Sequence, residues 1–245
     1  MRWVARCWGQ PWEKFIRIVS LVAACFVLTA GPAVADPAPV APASPTYAQS
    51  HLAAASETLH TMMIDSDLLS EISIEASREV RPILQSQITS WPFYNSLSSE
   101  KRQAIAAYID NFPPIAQEET MRGAPEVLES FVPRFAALFS ETQLHDINAY
   151  MRLPEAQSFS LRAALGGVQS GPAASVEPTA RELGAWNYFA RTPGGVALVE
   201  QMDPFSTMMR GIGYAATSNP RVSSRLRRDF CAILTNQCPA QWRAN

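Results

Sequence analysis

Two stretches of the chain align without a gap: "LHDINAYMRLP", Leu144 to Pro154, and "LGAWNYFARTP", Leu183 to Pro193. They share the pattern L-x3-N-x-[YF]-x-R-x-P at an offset of 39 residues. On a helix turning about 100° per residue, Leu144, Ile147, Tyr150 and Met151 fall within one arc of about 120°. Leu183, Trp186, Phe189 and Ala190 take the same arc in the second copy. An arc of that width is a core-facing stripe. Asn148 and Asn187 fall at its border. Arg152 and Arg191 fall in the last turn, where a cation offsets the helix macrodipole. Pro154 and Pro193 end one helix and open the next. Each copy therefore reads as a helix, a tight turn and a helix, over roughly 141–167 and 178–202. Every shared residue has a structural task, and the pattern carries no chemistry of its own.

Helical punctuation continues outward from the repeat. Ser140 and Gln143 form a capping box, so a helix is expected from Glu141. Upstream, Leu68, Ile72, Ala76, Val80 and Ile83 recur at helical spacing, and Pro82 is expected to kink or split that helix. Ser98 is placed to cap a helix reaching about Asp110, and "NFPPIAQEE" is expected to break the chain before a helix from about Pro125 to Phe139. Asp67 reads as an N-cap. Gly166 to Ser175 reads as a flexible connection, and Pro178 as the start of the next helix. Thr192-Pro193, Asp203-Pro204 and Asn219-Pro220 each read as a cap followed by a first-turn proline. Period-two alternation is almost absent. The expected fold is all-α, an irregular multi-helix bundle built from helical hairpins.

The N-terminus follows another logic. Arg2, Arg6, Lys14 and Arg17 precede the apolar run "IVSLVAACFVLTAG" and the small-residue site Ala33-Val34-Ala35. This is the pattern of a secretory signal over residues 1–35, with cleavage expected before Asp36. Cys25 ends a lipobox-like "VAAC", but the apolar run continues past it, which disfavours lipidation. Residues 36–50, rich in Pro and Ala, read as a disordered linker, and 51–245 as one helical domain. Four of the 20 basic residues and one of the 22 acidic ones lie in the signal, which leaves a net charge of −5. Nucleic-acid binding by the whole domain is disfavoured. Cys231 and Cys238 remain after cleavage, and in an exported chain they are expected to form a disulfide. On an unbroken helix their Cα atoms would lie about 10.5 Å apart, beyond the roughly 4.4–6.8 Å of a disulfide. The last helix is therefore expected to end near Leu234, with Asn236 in a left-handed turn and the tail around Trp242 pinned against it.

The stretch "FAALFSETQLHDINAYMRLPEAQSF", Phe135 to Phe159, resembles the signature of the domain of unknown function 2059 family, and "SHLAAASETLHTMMIDSDLL", from Ser50, is similar to the start of that family. The resemblance covers about His51 to Leu165. The first copy departs from the pattern at Glu155-Ala156, where a glycine is usual, whereas the second keeps Gly194-Gly195. The resemblance implies an exported bacterial helical protein. It carries over no catalytic or binding residue.

No catalytic motif stands out. His51, His60 and His145 show no metal-ligand spacing, and there is no nucleophile elbow. No cofactor or metal is expected. The sequence points to a non-catalytic periplasmic or secreted interaction module, with a groove between its hairpins for a peptide or another envelope protein. An exposed apolar patch around Trp186, Tyr188 and Phe189 would suit that role. Arg221, Arg225 and Arg228, at i, i+4 and i+7, offer the alternative of peripheral contact with an anionic envelope surface. An unrecognised hydrolase is the third reading.

Overall fold

The computed structural model describes residues 47–90, 93–170, 176–217 and 220–238. The proposed signal and the tail around Trp242 lie outside them, as does most of the proposed linker. Among the described residues the fold is all-α, without strands, as expected. Helix α1 spans Gln49–His60 and ends in one wide turn, Thr61–Asp65. The last two residues assigned to the linker are therefore helical. Helices α2 (Leu68–Thr89), α3 (Ser99–Asp110) and α4 (Phe112–Ala136) follow. Two helix–turn–helix units, referred to below as hairpins for the tight turn between their helices, come next, α5 (Glu141–Met151) with α6 (Pro154–Ser170), and α7 (Ala180–Phe189) with α8 (Pro193–Glu200). Helices α9 (Met202–Thr217) and α10 (Pro220–Leu234) complete the chain.

Prolines depart most from expectation. Pro82 does not split α2, and "NFPP" starts α4 rather than interrupting it, with prolines in its first turn. Pro125 and Pro133 lie inside α4. All three internal prolines are exposed, so the carbonyls they leave without a partner face water. Across Pro82 the buried stripe of α2 keeps a spacing of four. Leu68, Ile72 and Ala76 are buried, and then Leu84 and Ile88 turn inward while Ile83 is exposed. Asp67 precedes α2 with a left-handed φ of 57° and makes no capping hydrogen bond through its side chain. Helix α6 runs on to Ser170, where a connection was expected. Helix α7 starts after Thr179 rather than at Pro178, because Thr179 and Glu182 form a second capping box, 39 residues after Ser140 and Gln143. Asp203 lies in the first turn of α9 instead of capping it.

The repeat pays a structural dividend where its copies meet. Helix α5 packs on α8 and α6 on α7, so the first helix of each hairpin rests on the second helix of the other. The equivalent aromatic positions, Tyr150 and Phe189, stack face to face, with ring centres 4.2 Å apart and planes 6° from parallel. Trp186 meets both rings edge-on. Asp146 accepts a 2.9 Å hydrogen bond from the Gly194 N–H at the start of α8. A Cβ on Gly194 would lie 2.5 Å from the Asp146 Cβ and 2.6 Å from the Gln143 carbonyl oxygen, so only glycine allows this approach. The corresponding Glu155 is half-buried and needs no such clearance.

The stripe is asymmetric in one respect. Leu144 is fully buried under α1, where Thr58 donates to its carbonyl, but Leu183 is 42% exposed. Among the described residues helix α7 packs chiefly on α5 and α6, with no counterpart of α1 above Leu183. Asn148 is buried rather than at the border, whereas Asn187 is half-buried.

Two apolar clusters result. The larger joins α1, α4, the hairpins and α9 around Phe135, Phe159 and Ile212. The smaller gathers Ile88, Leu97, Ile105, Ile109, Phe230 and Leu234 from the end of α2, from α3 and from α10. Helix α2 contributes to both. The C-terminal end closes as the spacing required. Helix α10 stops at Leu234, and Cys231 and Cys238 are bonded with Cα atoms 4.9 Å apart. Thr235, at φ 56°, takes the left-handed turn expected of Asn236. The Lys101 ammonium explains why this turn is held. It donates to the Leu234 carbonyl at 3.0 Å, Thr235 Oγ1 at 3.1 Å and Gln237 Oε1 at 2.8 Å. Three converging acceptors suit a compact ammonium better than a planar guanidinium.

Replacing Trp186 with alanine should cost about 3–5 kcal/mol in chemical denaturation, as for a buried aromatic side chain. An unchanged midpoint would mean that the rings do not hold the hairpins together. Glu182 is buried, which opposes its ionisation, but hydrogen bonds from Thr179 and the Arg162 guanidinium outweigh burial and lower its pKa below 4.5. A lowered folded pKa adds stability above pH 4.5 that is lost as the pH falls through the folded value. Glu182→Gln should therefore destabilise the protein at neutral pH and flatten its acid limb. Parallel pH profiles of wild type and variant would refute this.

Candidate functional site

The aromatic residues of the repeat form a seam within the core, whereas Leu183, Arg152 and Arg191 lie at the surface. Leu144, Ile147, Tyr150, Trp186 and Phe189 are buried, so the apolar patch expected around Trp186, Tyr188 and Phe189 is not on the surface. Only Tyr188 is exposed, at 77%. The space between the hairpins, expected to be a groove, is filled by these rings. Arg152 reaches Glu57 on α1 at 2.6 Å, tying the hairpin to the first helix, while Arg191 is exposed.

The three arginines of the last helix are brought together at a different place. An open groove of about 880 Å3 runs between α4, the end of α9 and α10. Arg221, Arg225 and Arg228 line one wall, Arg122 and Glu126 the other, and Tyr214 stands at the α9 end. Helix α10 is strongly amphipathic. Its apolar side, with Phe230 and Leu234, is sealed in the smaller cluster, which turns the arginine row across the gap toward α4.

Glu119, on α4, is the anchor of the groove. Its side chain is 5% exposed and accepts from Arg122 at 2.9 Å and from Arg225 at 3.2 Å. Arg122 also reaches Glu118 at 2.6 Å, and Arg225 reaches Asp229 at 2.6 Å through Nε. The hydrogen bond and charge of Asp229 raise the already high pKa of Arg225, so this cation is permanent. Asp229 in turn accepts from the Tyr108 hydroxyl at 3.3 Å. Burial first, and then the Asp229 charge, pushes the Tyr108 pKa up and keeps the phenol neutral. The network thus links α3, α4 and α10. Two further acidic neighbours flank the row, Glu126 at 3.8 Å from Arg221 and Asp229 at 3.7 Å from Arg228.

Glu119, Arg122 and Tyr214 were not apparent as site residues in the sequence. The i,i+3 and i,i+4 spacing of Glu119 and Glu118 from Arg122 was legible, but it usually marks a solvated face. The partner that gives Glu119 its role, Arg225, lies 106 residues away. Among the described residues no group of three or more His, Cys, Asp or Glu side chains is placed to hold a metal ion. No helix among them is long and apolar enough to cross a membrane. Comparisons with protein families, curated proteins and solved structures found no match.

Glu119→Ala would leave Arg122 and Arg225 without their shared counter-ion. Arg122 is half exposed and Arg225 28% exposed, so both can rehydrate. The expected cost is about 1–3 kcal/mol, below the loss for a fully buried pair. Amide hydrogen exchange should quicken in α10 more than in the hairpins. Equal protection of α10 in both proteins would show that this ion pair does not hold the helix.

Proposed function

We propose that this chain is an exported helical protein akin to the domain of unknown function 2059 family and acts without catalysis, as a periplasmic module that binds an envelope protein or peptide. The groove between α4, α9 and α10 carries this reading. It is an open surface of about 880 Å3 lined by four arginines and an exposed tyrosine, on a scaffold fastened by a disulfide. The basic, apolar and small-residue order of residues 1–35 supports export, and the Cys231–Cys238 bond supports an oxidising compartment. The inward turn of Arg225, bound to Glu119, favours a groove over a flat row of cations facing a membrane.

Site-specific photo-crosslinking in the native envelope tests this. A photoreactive residue at Ser224, in the groove, should capture a discrete partner that the same residue at Tyr188, on the exposed side of α7, does not. Identical products from both positions, or none from Ser224, would overturn the reading.

A further inference from the structure

The two copies of the repeat are covered unequally, and the covered copy shows what fits the other. Glu141, Leu144, His145, Asn148 and Arg152 recur at spacings of three and four and lie on one face of α5. Helix α1 rests on that face. Ser50 donates to Glu141 at 2.9 Å, Thr58 to the Leu144 carbonyl at 3.2 Å, and Glu57 pairs with Arg152 at 2.6 Å. The inward side of α1 is apolar and small, with Ala54, Ala55 and Leu59 buried. In the second copy, 39 residues on, Ala180, Leu183, Gly184, Asn187 and Arg191 occupy the same face of α7. Among the described residues no helix crosses it. Asn187 is half-buried and the other four are exposed. A Cβ on Gly184 would meet nothing within 4 Å, so the space above the middle of the face is open. Arg191, the counterpart of Arg152, forms no ion pair among the described residues.

We infer that this face of α7 is a docking seat for an amphipathic helix of a partner protein, a helix built like α1. Its apolar side, small residues with a leucine, lies on Leu183 and over Gly184, and a carboxylate at one end pairs with Arg191 as Glu57 pairs with Arg152. Two observations select this occupant. The equivalent face is already filled by such a helix within the same molecule, and the cation at its end is there neutralised by a glutamate of that helix. The second face keeps the leucine and the cation but lacks both partners, which leaves an apolar centre with a charged rim. It departs from its counterpart at two places, Ala180 for Glu141 and Gly184 for His145. Both remove a polar side chain, so the seat is flatter and more apolar and admits a helix closely. The chain's own α1 is committed to α4 and α5. No residue of α7 lines the groove beside α10, so the inference stands apart from the role proposed for that groove. Tyr188 borders the seat, and crosslinks from it should report a different product from those at Ser224.

The test uses the chain from Asp36 onward with its disulfide intact. The probe is a labelled peptide of Tyr47 to Asp65, held helical by a hydrocarbon staple across Gln49 and Ala53, both exposed in α1. Fluorescence polarisation should show saturable binding that a scrambled peptide lacks. Leu183→Asp, and Gly184→Gln, which puts bulk into the open space, should each weaken it at least about tenfold. Arg191→Glu should weaken it about fivefold, and Glu57→Arg in the peptide should restore binding to that variant. All three positions are exposed, so the variants should melt like the parent. No binding, or binding indifferent to the α7 substitutions, would overturn the inference. Binding lost in Arg152→Glu but kept in Arg191→Glu would also overturn it, since the peptide would then be exchanging with α1 on α5. Sedimentation supplies a further check. Self-association of the chain that Leu183→Asp abolishes would assign the face to a second copy and remove the partner helix.

Discussion

A carboxylate withdrawn from water must be paired, and at Glu119 that requirement joins the parts of the protein. Glu119 lies on α4, the longest helix, which packs against α1, α2 and α9. Its partners are Arg122, one turn along the same helix, and Arg225 from the C-terminal helix. Phe230 and Leu234 of α10 are buried in the smaller cluster with α3, while α10 also packs directly on α4, where this ion pair joins the two helices. The same pair sets the floor of the groove. The fold and the proposed site thus share one electrostatic constraint, and it is polar where most of the interior is apolar.

The hairpins solve a different problem. A short helix with one apolar stripe must find another to cover it. Here the two copies cover each other. The aromatic residue of the repeat is buried by its own counterpart, Tyr150 on Phe189, and Trp186 closes the edge. This accounts for the duplication better than a ligand does, because the shared aromatic position of each copy, Tyr150 and Phe189, meets its counterpart in the seam between them. The differences between the copies are informative too. Gly194 allows α8 to approach α5, whereas its counterpart Glu155 is half-buried at the start of α6. Leu144 lies under α1, and Leu183, which no comparable helix covers among the described residues, is partly exposed.

Solvent decides how this chain uses proline and lysine. Prolines at positions 82, 125 and 133 lie on outward faces of long helices, where water can take the hydrogen bond that the ring removes. Their sequence signal is that of a helix end, and their effect is local because burial elsewhere on the helix outweighs it. Lys101 is the converse case, one ammonium held by three acceptors at the C-terminal turn, next to the disulfide that closes the same turn. Charge and covalent bond reinforce each other there, and together they fix the end of the helix that bears the groove arginines.

Local rules were legible wherever the controlling residues are neighbours in sequence. The Ser140–Gln143 capping box, the tight turns at Pro154 and Pro193, the all-helical class and the end of the last helix at Leu234 all depend on residues within one or two turns. The spacing of Cys231 and Cys238 was enough to require that the helix stop. Tertiary structure decided what depends on distant partners. It buried Trp186, exposed Leu183, carried α4 through its prolines and moved the groove from between the hairpins to the flank of α10. The arginine row could be read from its spacing, but not what faces it. Glu119 and Arg225 meet across 106 residues of chain, and only packing of the intervening helices determines whether a charged row faces water, a membrane or another helix.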